Sequence, residues 1–449
     1  MISSVPALDR QWPRFVALVR RSRYAIAALD QIALSLFSFA LNLVLVRVLS
    51  ASDFGIVSLW LSVSLLAIGV QSALVNGPLS VYLPATRDPG AARRLEATLS
   101  LVNLVTIAAT AVAVAAVNLM ADAEWAPRDA ATGLAIPLFI AFTLFREYYR
   151  SVAFSRHDMA MLLCADLPYL ATTALCLGVM LVWPARFGTL AGAFLALSLG
   201  CAVSQLCLQR RRTEPAPKLF KRGTLAPYRA IAGEVSWSVV GVVANHVETR
   251  SYTYIATSMI GLVALAAINI VGVLFRPITM LSSAWARTAL PQLSGMLARR
   301  ETAAFDRVLA WALGATAIGS AVWYLALLVC WDPVERFVLA GKYPEAEALL
   351  LPWAAATAAS TLRYVAGTGL VAARQFKFLA HAQIVCGALA AAATVAMIVW
   401  RGMAGAMWGI AIGNAACLVM ILVRLHDVRR PDFLAADPKW DAPPDESEF

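Results

Sequence analysis

Four arginines lie inside long apolar stretches of the sequence and are the side chains best suited to ligand chemistry: Arg146, Arg250, Arg276 and Arg363. An ionised side chain in hydrocarbon is costly unless it faces protein or a water-filled cavity, so each defines a site hypothesis. A guanidinium also binds phosphate oxygens through two parallel N–H bonds. We predict that Arg276 and Arg363 contact phosphate or another anion in a cavity; the alternative is that both reach the membrane interface. The sequence REYYR around Arg146 is typical of an interface anchor with two tyrosines.

The stretch around Arg250 contains further ionisable groups. His246 and Arg250 are four residues apart and share a helix face, whereas Glu248 is turned away from them. A cation-coupled transporter needs a carboxylate that binds H⁺ or Na⁺, and a buried structural ion pair is the alternative role for such a group. Four carboxylates within or near the apolar stretches are therefore candidates for binding a coupling ion: Glu248, Asp30, Asp166 and Glu234.

Motifs for several other kinds of chemistry are missing from the sequence. It contains no G-x-x-x-x-G-K-[ST] loop, so direct use of ATP by this chain is not expected. It also has no zinc motif and no nucleophile elbow, and we predict neither an enzyme nor a bound cofactor. The seven cysteines form no C-x-x-C pair and have no histidine at metal-ligand spacing, so we interpret them as small core or lipid-facing residues. Gly405, Gly409 and Gly413 predict close packing of the last helix against a neighbour.

Long apolar helices must position these residues. Hydrophobic residues make up 60% of the 449 residues and charged residues only 14%, which excludes an ordinary soluble protein and a disordered one. A membrane-spanning helix needs about 20 mostly apolar residues. The sequence therefore predicts an all-α, polytopic membrane protein whose twelve spans lie near residues 25–50, 54–79, 96–120, 132–149, 161–183, 189–208, 234–258, 262–284, 308–332, 347–371, 379–400 and 403–425.

The distribution of basic residues predicts the orientation of these spans. With the N-terminus in the cytoplasm, 27 of the 37 lysines and arginines lie on inward segments and only six on outward segments. Because basic residues are retained on the cytoplasmic side, both termini are predicted to be cytoplasmic. Membrane orientation also accounts for the net charge of +10, so no nucleic-acid partner is expected.

Five segments follow from the spans and charges. Residues 1–24 are predicted to be a cytoplasmic interfacial segment. Residues 25–208 form an N-terminal six-helix bundle, 209–229 a basic cytoplasmic linker, and 230–425 a C-terminal six-helix bundle. The acidic, proline-containing tail at 426–449 is predicted to be disordered and cytoplasmic.

A weak internal repeat relates the two bundles, as in many transporters. A shift of 207 residues aligns VLSASDFGIVSL with IATSMIGLVAL and places Pro84 on Pro291. The alignment predicts an outward turn near Met259 to Gly261. The seventh helix then runs through residues 245–250, which otherwise could have formed a periplasmic turn.

Motifs in the first hairpin resemble those of a known transporter family. Asp30 and Gln31 lie early in the first helix, LSASDFG follows at the outward turn, and QSALVNGP ends the second helix. The second half contains GLVALAAIN, then FRP, and ALPQL at 289–293. Together these resemble the polysaccharide-exporter branch of the multidrug/oligosaccharidyl-lipid/polysaccharide (MOP) exporter superfamily, over essentially the whole membrane part of the chain.

The resemblance implies a MATE-like arrangement of two six-helix bundles as a V around a cavity that opens alternately to either side. Members of this branch move polyprenyl-pyrophosphate-linked glycans or otherwise take part in polysaccharide export. Their cavity arginines match Arg276 by helix, with Arg47 and Arg363 as further matches. Glu248 matches an acidic position of the seventh helix, but its H-x-E-x-R setting departs from the family pattern, so the coupling ion stays open.

We therefore predict an inner-membrane flippase for lipid-linked oligosaccharide in bacterial surface-polysaccharide synthesis. The expected partners are the lipid-linked glycan, membrane lipid and polysaccharide synthesis or polymerase machinery, and the protein is predicted to be monomeric. The alternatives are a cation-coupled multidrug antiporter and a membrane polysaccharide polymerase or glycosyltransferase. Arg276 and Arg363 would hold the diphosphate. The other predicted cavity residues, several of them sugar contacts, are Arg250, His246, Asn245, Gln71, Asn76, Tyr252 and Arg47.

Overall fold

The computed structural model describes residues 30–86, 88–120, 125–127, 129–156, 158–211, 225–337, 339, 341–373 and 375–428. The predicted interfacial segment 1–24, most of the predicted linker and nearly all of the acidic tail lie outside these residues. The part that is described is helical and contains no β-strand, which confirms the all-α prediction.

Fifteen helices are assigned within these ranges. The first eight are α1 Asp30–Val48, α2 Ala51–Gln71, α3 Gly77–Ala85, α4 Pro89–Met120, α5 Ala130–Ser155, α6 Met159–Val182, α7 Pro184–Phe187 and α8 Leu190–Arg211. The remaining seven are α9 Ala226–Leu274, α10 Arg276–Ala298, α11 Thr302–Val329, α12 Trp331–Phe337, α13 Leu350–Ala372, α14 Phe376–Arg401 and α15 Met403–Val428. A π-helical segment, Ser72–Asn76, joins α2 to α3.

Ten helices in the described part of the chain are long and apolar enough to cross a membrane. The prediction of twelve spans differs at two places. The seventh predicted span and the first half of the eighth lie in one long helix, α9, which Gly261 interrupts with φ 84° and ψ 179°. The tenth predicted span lies in α13. This helix contains Arg363 and other polar residues, so it is not among the ten helices that are apolar enough to cross a membrane. The break at Gly261 confirms the turn that the internal repeat predicted.

Local sequence sets several helix starts. The Asp129 side chain accepts a bond of 2.8 Å from the N–H of Thr132 at the start of α5, and Asp158 does the same for Met161 at α6, at 2.9 Å. Such caps satisfy N–H groups that have no partner within the helix. Before α4, the N–H groups of Gly90 and Ala91 hold the pKa of the exposed Asp88 carboxyl below its usual value.

The chain folds as two compact units. The first takes the described residues of Met1–Leu49 and Val63–Val239, and the second those of Ser50–Ser62 and Val240–Phe449. The division therefore falls inside α2 and α9, whereas the sequence placed the joint at the basic linker. In the first unit, the Tyr228 hydroxyl of α9 donates to the carbonyl of Leu74 at 3.0 Å.

Close helix packing organises both units. In the first, α5 packs against α4, α6 and α8. In the second, Gly55 of α2 lies against the backbone of Leu262, which leaves no space there for a larger side chain. The predicted glycine ridge of α15 is confirmed, because a Cβ at Gly409 or Gly413 would collide with α14 at Thr394 or Ala390.

Candidate functional site

Arg276 stands at a break in the helical chain of the second unit. The sequence placed it inside the eighth helix, but α9 ends at Leu274 and Arg276 is the first residue of α10. Around the break, the Phe275 N–H donates to Gly272 O and the Ile278 N–H to Phe275 O, both at 3.2 Å. Pro277 has no N–H, so it fits the second position of a new helix and does not continue the old one. The backbone of Arg276 therefore lies at the positive end of α10.

Arg250 lies on α9, before the break at Gly261. It is close enough to Arg276 for the two positive charges to repel each other. Both side chains are half-buried. We refer to Arg250 and Arg276 as the arginine pair. His246, one turn before Arg250, is buried and shares a hydrogen bond of 2.8 Å with the hydroxyl of Tyr254, and the charge of Arg250 acts on both groups. The charge of Arg250 thus acts on two other predicted cavity residues, Arg276 and His246.

Arg363 does not belong to this group. Its Nη1 lies 3.2 Å from Oε1 of Glu248, and its Nε donates to Oδ1 of Asn414 at 2.9 Å. The Glu248 carboxylate is completely buried, and the Arg363 side chain is 12% exposed. The guanidinium of Arg363 is thus bonded within the unit, and its predicted phosphate-binding role stays a prediction. For Glu248 the structure shows the ion pair that the sequence left as an alternative to ion coupling.

A second group of buried charges lies in the first unit, and we call it the carboxylate–arginine cluster. It consists of Asp30, Arg146, Glu147, Arg150 and Asp166. Arg150 donates to Asp166 at 3.0 Å and to Glu147 at 3.2 Å, and it lies 3.6 Å from Asp30. Arg146 bonds the other oxygen of Asp166.

This cluster changes the interpretation of Arg146. The sequence predicted an interface anchor, yet its side chain is only 7% exposed and its guanidinium lies 4.0 Å from the ring centre of Tyr169. The reason is that α6 presents both Asp166 and Tyr169 to it. Glu147 and Arg150 were missed as site residues. Their spacing along α5 was the available signal, because residues three and four apart share a helix face.

Two predicted sugar contacts lie in the interior of their units. Gln71 is completely buried, and its amide donates to Asn103 Oδ1 and to Leu144 O, both at 2.7 Å. Tyr252 is 4% exposed, and its hydroxyl donates to Asn269 at 3.0 Å. These hydrogen bonds give both polar groups partners within the protein, and their role as sugar contacts stays a prediction.

The other predicted residues differ in exposure. Asn76 is buried within the π-helical segment, whereas Asn245 and Arg47 are exposed. The side chain of Glu234 lies outside the described part of the chain. Within that part, no three or more histidine, cysteine or acidic side chains come together as a metal site.

Comparison with solved structures identifies the fold. A multidrug resistance MATE family transporter of the MOP superfamily, in its inward-facing conformation, superposes with a TM-score of 0.66 at 14% identity, over 88% of this chain and 96% of that one. The lipid II flippase MurJ, in an inward closed conformation, gives 0.68 at 11% identity over 89% and 87%. A mutant form of the Vibrio cholerae MATE transporter VcmN gives 0.54 at 14% identity over 92% and 100%.

The chain has the fold of MOP-superfamily membrane transporters. This confirms the predicted fold class and, with the ten apolar helices, supports a multi-pass membrane protein. No family model matches the chain, and no curated protein matches its sequence. At 11–14% identity the likeness concerns the fold alone, and it does not separate the polysaccharide-exporter branch from the others.

Proposed function

We propose that the protein is a flippase that carries polyprenyl-pyrophosphate-linked oligosaccharide across the bacterial inner membrane, by alternating access, for surface-polysaccharide synthesis. The observation that carries this proposal is the arginine pair. The positive charges of Arg250 and Arg276 act on each other, both side chains are half-buried, and Arg276 is the first residue of α10. A diphosphate offers the charge and the oxygen geometry that such groups bind best.

The sign of this charge favours an anionic substrate over a cationic drug. Two like charges held together repel a third charge of the same sign and attract an opposite one. An entering diphosphate would also relieve the repulsion between the two arginines. The fold shared with a protein named as a lipid II flippase supports the same class of substrate.

A cation-coupled multidrug antiporter is the second candidate. The fold shared with multidrug resistance MATE transporters favours it, as do the three carboxylates gathered in the carboxylate–arginine cluster. If this alternative holds, a carboxylate such as Asp30 or Asp166 is essential and the arginine pair is dispensable. In either case we propose transport without covalent chemistry, driven by an H⁺ or Na⁺ gradient.

The arginine pair provides the test. Arg250→Ala and Arg276→Ala, alone and together, would be expressed in a deletion strain, with surface polymer and cytoplasmic-leaflet lipid-linked glycan measured. Each single variant should lower export at least about tenfold, because a hydrogen bond to a charged group contributes about 1.5–3 kcal/mol. Arg299→Ala is the matched control, since this arginine directly follows the last residue of α10 and is 62% exposed.

Protein amounts in the membrane would be measured for every variant. Normal polymer export by the double variant at normal protein levels would refute the flippase proposal. Loss of drug resistance in the deletion strain with unchanged polymer would favour the antiporter.

A further inference from the structure

The glycine ridge of α15 continues into a pair of cysteines. Gly405, Gly409 and Gly413 lie against positions near 397, 394 and 390 of the antiparallel neighbour α14. Along this interface the residue numbers of the contacts increase by four on α15 and decrease by three or four on α14. One more step along the same interface pairs Cys417 with Cys386.

The side chains confirm this pairing and add a third sulfur. The Cys386 thiol lies 3.5 Å from the thioether sulfur of Met420 and is hydrogen-bonded to Cys417. Met420 is three residues after Cys417, so both face the same side of α15. Cys386 is 1% exposed and Cys417 is completely buried. Three sulfur-containing side chains therefore meet in a buried part of the second unit.

We propose that Cys386, Cys417 and Met420 form a binding site for a soft, thiophilic metal cation. Thiolates and thioethers select soft ions such as Cu⁺, Ag⁺ and Hg²⁺ over hard ones. A zinc site would usually need four ligands, and this group offers three sulfurs. The inference stands on the second unit alone and does not depend on the proposed transport function.

Charge balance also suits such an ion. When Hg²⁺ binds, each thiol loses one proton, two S–Hg bonds form, and the two protons leave to bulk water. The net charge of the site is unchanged, which matters because an unbalanced charge in an apolar interior is costly. The nearest charged groups, Glu248 and Arg363, form their own neutral pair.

Mercuric chloride added to the full-length protein in detergent gives a direct test. Excess mercury would be removed with a monothiol, which strips ions held by one cysteine but competes poorly with two paired thiolates. Bound mercury and the ultraviolet thiolate-to-mercury charge-transfer band would then be measured. We expect the wild type to retain a single mercury ion per chain.

Variants then locate the ion. C386S and C417S should lower the affinity by at least about 100-fold, because losses of 10- to 100-fold already follow from changes outside the ligand shell. M420L should weaken binding less. The matched control is C201S. Cys201 is also buried, but the hydrogen-bond partner of its sulfur is the hydroxyl of Thr143 and not a second sulfur. Equal retention by C386S and the wild type would overturn the proposal.

A measurement on the unaltered protein covers the case in which a serine variant does not fold. X-ray absorption fine structure of the mercury-loaded wild type should show two thiolate sulfurs and one more distant thioether sulfur. A single sulfur neighbour, or no mercury retained after the monothiol wash, would refute the site.

Discussion

Two regions of this molecule hold arginine side chains in different electrostatic environments. In the carboxylate–arginine cluster of the first unit, Arg146 and Arg150 are surrounded by three carboxylates, and Asp166 accepts from both of them. In the second unit, Arg250 and Arg276 lie near each other, and their charges repel. A buried arginine is thus a stabilising part of one region and, by our proposal, a ligand-binding group in the other.

The difference shows why burial alone does not identify a transport site. Removing one member of a buried, hydrogen-bonded group of opposite charges leaves its partners without their bonds in a low-dielectric interior, so its main effect is on folding. Removing one member of a like-charged pair relieves repulsion, so its main effect is on ligand binding. The four predictions below test this distinction, from the largest expected effect on stability to the smallest.

Asp166→Ala should have the largest effect. Asp166 is completely buried and accepts from two guanidinium groups. Its removal should cost about 3–5 kcal/mol, the range found when one partner of a buried ion pair is lost. The measurement is the yield of monodisperse protein and its apparent melting temperature in detergent. An unchanged melting temperature would show that the cluster does not stabilise the first unit.

The Glu248–Arg363 pair should give the next largest effect, and a double-mutant cycle resolves its role. Glu248→Gln or Arg363→Gln alone leaves the partner charge buried, with an expected loss of about 3 kcal/mol. The double variant should recover much of that loss, with a coupling energy of about 0.5–3 kcal/mol. Thermal unfolding of the four proteins gives the cycle.

Transport by the same four proteins separates two roles of Glu248. If the pair has only a structural role, the double Gln variant should transport substrate in proportion to the amount of folded protein. If the double variant folds but does not transport, Glu248 is required as a coupling carboxylate.

Arg250→Glu should replace the repulsion within the arginine pair by an attraction. A carboxylate at this position can pair with Arg276, so stability should rise by up to about 1 kcal/mol, the range of partly exposed ion pairs. Polymer export should be lost, because the site no longer favours an anion. Arg250→Gln is the matched control, since it removes the repulsion without forming an ion pair. A drop in melting temperature for Arg250→Glu alone would contradict the proximity of the two arginines.

Features set by neighbouring residues in the chain were predictable from the sequence. The helical runs follow from apolar length, the turn at Gly261 from the internal repeat, and the packing ridge from glycines spaced by four. Each depends on positions along a single helix or on a comparison of the two halves, and both are visible in a linear sequence.

The partners of the buried charges were not predictable in the same way. Arg146 meets Asp166 twenty residues away, and Arg363 meets Asn414 across 51 residues. Such contacts depend on which helices are neighbours and on how each is rotated about its axis. Periodicity gives the face of a helix but not the identity of the helix that it meets. For that reason the sequence predicted Arg146 as an interface anchor and did not identify the partners of Arg363.

Glu301→Gln should have the smallest effect, and it serves as the reference for an exposed ion pair. Glu301 and Arg299 form a bond of 2.9 Å, but their side chains are 45% and 62% exposed. Solvent screens such a pair, so neither the melting temperature at neutral pH nor polymer export should change measurably. The hydrogen bond from Arg299 lowers the pKa of Glu301, so any stabilisation is present above the ordinary value of about 4.3 and is lost as the pH falls through the lowered pKa. A change as large as that of Asp166→Ala would mean that ion pairing in general, and not burial, determines stability in this fold.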